Sequence, residues 1–285
     1  MIERYAILIG IGLVTGSVTA ISAGSGVTIV VPLLTILLGY SIHSAIGTSL
    51  LVDVIASIFV AINYFRYGKV DLKRGAWLAL GAIIGAQVGS HFASFIPQSG
   101  LKGGFVIFII ISGLSFIYRA FGKRKLSLDI LKLDNHILHK IMIVVVGLLI
   151  GLSTGLFGTG GGATILVVLI YLMDFPIHTA IGTATALMAI TATSGVIGFT
   201  IQGHIPWLEG IVIGTAAMIA GLIFSKRAIH ATEKQLNIAV GSIFIIIGIA
   251  MFFVEGGTDG VMQSLHALIP LFHTSVLLLL LKKIP

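Results

Sequence analysis

Cysteine is absent, charge is scarce, and polar stretches are short. With no cysteine in 285 residues, the chain forms no disulfide and offers no thiolate to a metal. Charged residues make up 9% of it, against about 25% in a soluble domain. Hydrophobic residues make up 57%, and the mean hydropathy is +1.13. A soluble core of this length cannot hide so much apolar surface. Uncharged runs such as His178 to Pro206 exceed the roughly 20 residues needed to cross a bilayer. They do not alternate as barrel strands do. The expected fold class is therefore all-α, a polytopic protein whose solvent is lipid. The net charge of +7 would suit nucleic acid. The basic residues, however, lie in short loops between spans, where positive-inside bias puts them, so no nucleic-acid partner is expected. Only Glu3 and Arg4 precede the first apolar run, which reads as a membrane segment and not a cleavable leader.

Glycine is plentiful where a membrane helix has least use for it. GLFGTGGGATIL (Gly155 to Leu166) carries five glycines in eight residues, and AGSGVTIV (Ala23 to Val30) is a weaker version. Glycine inside a helix costs about 1 kcal/mol relative to alanine. The two stretches belong to a repeat. With a shift of 135 residues, IHSAIGTS (Ile42 to Ser49) falls on IHTAIGTA (Ile177 to Ala184). The register holds without a gap to Gly113 against Gly248. One residue of adjustment sets Gly24, Ser25, Gly26 and Thr28 on Gly160, Gly161, Gly162 and Thr164.

Each copy is a long apolar run broken by glycines and followed by three ordinary spans. The runs are 5–39, 45–65, 75–95 and 103–121, then 141–174, 179–201, 208–225 and 236–254. The expected organisation is a first transmembrane repeat over 1–121, a basic cytoplasmic linker over 122–140, a second repeat over 141–255 and a tail over 256–285. Val261 to Leu281 in that tail is long enough for a further span or a surface-lying segment. Lysine and arginine concentrate in three connections: Arg66 to Arg74, Lys123 to Lys140, and Lys226 to Lys234. If all three face the cytoplasm, loop 202–207 is outside and loop 175–178 inside. The run 141–174 then enters and leaves on one face as a hairpin, the first copy starts outside, and the copies are inverted. Inverted repeats with an interrupted helix in each half point to a transporter site near the midplane.

The glycines Gly158, Gly160, Gly161 and Gly162 can adopt positive φ and let a ligand reach the backbone. Thr164 sits in the first turn of the returning half-helix, whose amino end suits an anion. The competing reading is close small-residue packing of the GxxxG kind. Thr48, Ser49, Thr183 and Thr185 begin the spans after the hairpins; their hydroxyls either donate to an oxyanion or bond the carbonyl one turn back. His43 and His178 occupy equivalent places just before them, as titrating groups or as helix-entry residues. Asp53 is the one acidic residue deep in a span, a functional-site hypothesis by default. It is a candidate proton carrier or a hydrogen-bonded structural group, and its repeat counterpart is Met188. Asn63, Gln87 and His91 are interior polar candidates of lower rank. The remaining histidines have no paired metal spacing, so neither metal nor cofactor is expected.

On the repeat, the glycine stretches and the AIGT segments, the chain resembles the TauE/SafE-type sulfite exporter family from about Ile7 to Phe253. The resemblance implies a multi-pass protein of the cytoplasmic membrane that exports sulfite or an organosulfonate. It makes Gly24, Ser25, Gly26, Thr28 and Thr48, with Gly160, Gly161, Gly162, Thr164 and Thr183, candidates for lining the anion pathway. Two departures stand out: Ser25 replaces a glycine, and the tail from Thr258 lies outside the repeat. Two rival readings differ in class. One is a passive anion channel of the same architecture. The other is an intramembrane serine protease built on Ser25 and His91, which requires their side chains within about 3 Å.

Overall fold

In a computed structural model, the structure describes residues 2–96, 136–158, 160–171, 173 and 175–228, with isolated positions between 106 and 121 and between 232 and 253. The expected runs 103–121 and 236–254 fall largely outside these residues. The linker up to 135 and the tail from 254 fall wholly outside. Among the described residues the chain is helical throughout. In order come α1 (Ile2–Ser22), α2 (Val27–Leu38), α3 (Ile42–Arg66), α4 (Leu72–Ala93), α5 (His136–Phe157), α6 (Gly162–Tyr171), α7 (Ile177–Ile201) and α8 (Trp207–Ala228). Six of these, α1, α3, α4, α5, α7 and α8, are long and apolar enough to cross a membrane. The chain is a polytopic membrane protein.

The two short helices, α2 and α6, are the returning legs of the glycine-broken runs. Serine and aspartate start the neighbouring elements by their usual capping chemistry: Ser41 accepts the N–H of Ser44, and Asp71 that of Arg74, both at 3.2 Å. Gly39, at φ +67°, ends α2 in the left-handed conformation that a side chain resists. Pairing follows the repeat. α1 packs on α8 and α5 on α4; α3 and α7 pack on each other at the centre; α2 lies on α3 and α6 on α7. Exchanging the two copies leaves this pattern of neighbours unchanged.

Contacts at the helix ends show which end of the bundle each run occupies. Arg4, at the start of α1, and Tyr40, just after α2, both bond Glu209 at the start of α8, at 2.8 and 2.7 Å. Nearby, His43 at the start of α3 stacks on His204 in the 202–206 connection. The first broken run therefore begins and ends where α3 begins. At the other end, Arg74 donates to the Met173 carbonyl at 2.7 Å, Lys140 lies over the Trp77 ring, and the Asp71 N–H donates to Thr183 Oγ1. The second broken run begins and ends where α3 finishes. Each run is a hairpin, as expected, and the basic residues Arg66, Arg74, Lys140, Lys226 and Arg227 gather at this second end.

Glycine serves two purposes in GLFGTGGG. Gly155 is the last of three glycines (Gly147, Gly151, Gly155) on α5 that meet Gly81, Gly85 and Gly89 of α4. A β-carbon at any of the six would fall against the partner helix's backbone. This is the small-xxx-small seam that membrane helices use for close approach. Gly12 and Gly16 of α1 do the same against Ile213, Ala216 and Ala217 of α8. The remaining glycines of the stretch make the bend. Gly151→Leu must push the two backbones apart, at a cost of about 1–3 kcal/mol or more. A clear drop in the Tm of the purified protein is expected, with a smaller one for Gly151→Ala.

Candidate functional site

The two hairpin bends meet beside the middle of α3. The first, residues 23–26, places Ala23 at φ +50°, a left-handed conformation uncommon outside glycine. The second places Gly158, Gly160 and Gly161 at φ +69°, +58° and +76°. Gly162 lies against the Ala23 carbonyl, so the bends touch. Such open backbone is tolerable at membrane depth only when protein or a wet cavity surrounds it. Both bends are buried.

Asp53, on α3, joins them. Its side chain is fully buried. Oδ1 accepts the Gly26 N–H at 2.7 Å, and Oδ2 accepts the Ser25 hydroxyl. A β-carbon on Gly160 would lie 2.5 Å from Oδ2, so the same carboxyl group borders the second bend. Ser25 Oγ also accepts the Val27 N–H at 3.2 Å. The amino end of α2 is thus occupied by the chain's own carboxyl group, the kind of partner that such an end favours. At the amino end of α6 the matching residue is Met188, whose sulfur would lie 3.2 and 2.5 Å from β-carbons on Gly160 and Gly162. A thioether accepts hydrogen bonds only weakly. The first N–H groups of α6 have no acceptor within their own helix, as in any helix.

The other expected residues separate into two groups. Gly24, Ser25, Gly26 and Thr28 lie in or beside the first bend, with Thr28 Oγ1 donating to the Ser25 carbonyl at 3.3 Å. Gly158, Gly160, Gly161 and Gly162 form the second, and Ser49 Oγ reaches it from α3, 3.4 Å from the Gly158 carbonyl. Thr48 and Thr185 instead bond the carbonyl one turn back, at 2.7 and 2.8 Å. Thr183 holds the Asp71 N–H at 2.9 Å, at the basic end of the bundle. Thr164 is exposed on α6, and His178 is half-buried at the start of α7. Ser25 and His91 do not pair: His91 packs edge-on against Phe92 and Phe95 near the end of α4. The lower-ranked polar residues bond across helices, Gln87 to the Ser194 carbonyl and Asn63 to Ser225 Oγ, both at 2.6 Å. Among the described residues there is no cluster of three potential metal ligands.

Three hydroxyls were not singled out from the sequence. Thr191 Oγ1 donates to the Gly160 carbonyl at 2.7 Å and so pins the second bend to α7. Thr15 and Thr19 of α1 are fully buried, with no hydrogen-bond partner for either hydroxyl. A methyl group of Thr15 stands beside Gly26, next to Asp53. Their four-residue spacing in an apolar run was the available signal, since it puts both on one face of α1.

The histidine pair lies away from the bends. His43 Nε2 is 3.1 Å from the Ala93 carbonyl, and its ring centroid is 5.4 Å from that of His204. Burial, and then the charge His43 would carry, hold His204 below the ordinary histidine value of 6.5. The unfolded chain therefore binds more protons than the folded one just below that value. Stability rises with pH through this range and is lost as pH falls through 6.5 towards the folded value. Tm measured from pH 7.5 down to about 5 should fall, and His204→Asn should flatten that slope.

Comparison with known proteins agrees with the fold. A family model described as "Sulfite exporter TauE/SafE" matches residues 8–251. "Probable membrane transporter protein YunE" of Bacillus subtilis (strain 168) is 24% identical over 266 residues, covering 87% of this chain and 97% of the relative. "Probable membrane transporter protein YdhB" of the same organism is 27% identical, covering 85% and 96%. "Probable membrane transporter protein MJ0441" of Methanocaldococcus jannaschii is 28% identical, covering 86% and 94%. No solved structure matches. With six membrane-length helices, two glycine-bent hairpins and a family match over most of its length, the chain belongs to the TauE/SafE sulfite exporter family of membrane transporters.

Proposed function

We propose that this transporter exports a small sulfur-containing oxyanion, sulfite or an organosulfonate, across the cytoplasmic membrane. The observation that carries the reading is the meeting of two buried hairpin bends, each opened by left-handed backbone. A midplane site made from half-helix ends can hold an anion without a fixed cation. None of the residues gathered at the bends is basic. The family description names the substrate class.

In this reading the halves are inverted repeats that open the site alternately to either face. The hairpins' opposite openings, the exchange-symmetric packing and the basic residues at one bundle end support it. The substrate's oxygens take the N–H groups of Gly160, Gly161 and Gly162, where Met188 offers no competing charge. Ser25, Gly26 and Thr28 shape the opposite wall through Asp53. Thr164 stands at the exposed flank of α6. The hydroxyls of Thr48, Thr183 and Thr185 are spent on the protein in this state and reach substrate only after rearrangement. His43 and His178 mark the hairpin mouths. Asp53 carries any coupling proton. An inside-negative potential favours anion exit by about 2.3 kcal/mol per charge per 100 mV, so a monoanion leaves without an obligatory co-ion.

Transport, ligand-stabilisation and topology measurements test this. Proteoliposomes loaded with sulfite should show saturable efflux and counterflow. Gly161→Val should abolish both, because it strains a positive-φ position and crowds Ile150 and Thr154. Asp53→Asn should leave any residual flux independent of pH. Unitary currents without counterflow would identify a channel instead, and stabilisation by carboxylates but not by sulfur oxyanions would exclude the substrate class. The absence of native cysteine makes topology easy to read. Cysteines at Tyr5 and Ser41 should react from the outer face, and those at Lys140 and Pro176 from the inner one. A hairpin whose two ends react from different faces would overturn the inverted-repeat reading.

A further inference from the structure

At the basic end of the bundle, α3 and α8 part to leave a groove of about 550 Å³ lined by Asn63, Arg66, Leu222, Ile223, Lys226 and Arg227. Three of these six are cations. Among the described residues none of them has an acidic partner; the one ion pair, Arg4 with Glu209, is at the opposite end. The floor is firm, because Asn63 donates to Ser225 Oγ at 2.6 Å and so ties the two helices together.

The walls continue towards the bilayer interior as apolar stripes. On α3, Ile58 and Ile62 are exposed and lead at four-residue spacing to Arg66. On α8, Ile219 and Ile223 are exposed and lead in the same way to Arg227. Residues four apart share a helix face. Each stripe therefore runs from hydrocarbon depth to a cation at the membrane surface. Neither apolar stripes nor cations alone select a partner. Together they fit a molecule with two apolar chains below an anionic head.

We propose that this groove binds an anionic phospholipid, its phosphate held by Arg66, Lys226 and Arg227 and its acyl chains laid along the isoleucine stripes. Guanidinium and ammonium groups both donate to phosphate oxygens, and each of the three adds its charge to the site. Basic pockets between membrane helices on the cytoplasmic side are suited to such headgroups. The site is separate from the hairpin bends and does not depend on which solute is carried. A lipid wedged there would brace α3, which carries Asp53, against α8, which packs on the first hairpin.

The test is a melting series on the purified full chain in neutral detergent, with added phosphatidylglycerol, phosphatidylcholine or inorganic phosphate. Phosphatidylglycerol should raise the Tm, with little effect of the other two. Native mass spectrometry should show it retained selectively. Arg66→Gln, Lys226→Gln and Arg227→Gln should each weaken the apparent affinity about five-fold, the factor expected for about 1 kcal/mol per basic residue near an anionic surface. The triple variant should lose the selectivity. These side chains lie at the surface, and Arg66→Lys, which keeps the charge, serves as a folding control that retains most of the effect. Equal stabilisation by phosphatidylcholine, or a triple variant that still prefers phosphatidylglycerol, overturns the proposal. So does equal stabilisation by inorganic phosphate, which would make the groove a soluble-anion vestibule.

Discussion

A peptide group stripped of its helical partner cannot face hydrocarbon, and this chain opens its backbone twice at membrane depth. Much of the structure follows from the need to enclose those two openings. The bends are placed against each other and against α3 and α7, the central helices, so that no lipid reaches them. Asp53, Ser25, Ser49 and Thr191 supply the partners that the missing helical turns would have given. The glycine seams are the counterpart of this arrangement. By letting α1 lie on α8, and α5 on α4, at backbone contact, they close the bundle around a centre that is otherwise poor in covalent or ionic ties.

The two halves share a plan but differ at its most sensitive point. Asp53 and Met188 occupy matching places, and each stands at the amino end of a short returning helix. One presents a carboxyl group that accepts a main-chain N–H and a hydroxyl; the other presents a soft thioether, a weak acceptor. At this single position the first half gains a fixed internal acceptor that Met188 does not supply to the second.

The hairpins were legible in the sequence because two independent signals agreed. Loop charge required the run 141–174 to return to its starting face, and glycine marked where it turns. Most of the chain's cations lie in three connections, and the described ones Arg66, Arg74, Lys140, Lys226 and Arg227 gather at one end of the bundle. What the sequence did not yield was the division of labour within GLFGTGGG. Gly155 and Gly158 look alike on paper, yet one packs on Ala86 and Ser90 while the other bends the chain beside Ile46 and Ser49. Separating them needs knowledge of which helix lies opposite. The same limit applies to the threonines. Thr48 and Thr185 belong to the shared motif but spend their hydroxyls on their own helices, whereas Thr15, outside any motif, stands beside Gly26 in the first bend. A tie such as Arg4 to Glu209 spans most of the chain and leaves no local trace.

The crossed packing of the halves has a consequence for biosynthesis. The Gly12–Gly16 face of α1 matches α8, and α8 begins at Trp207. A nascent chain inserted from its amino end must hold that face, and the first bend beside it, without their final neighbours while most of the polypeptide is still being made. The amino-terminal half cannot mature as an independent unit. Its assembly waits on the last described helix, and truncated products would present an unsealed backbone to the quality-control proteases of the membrane.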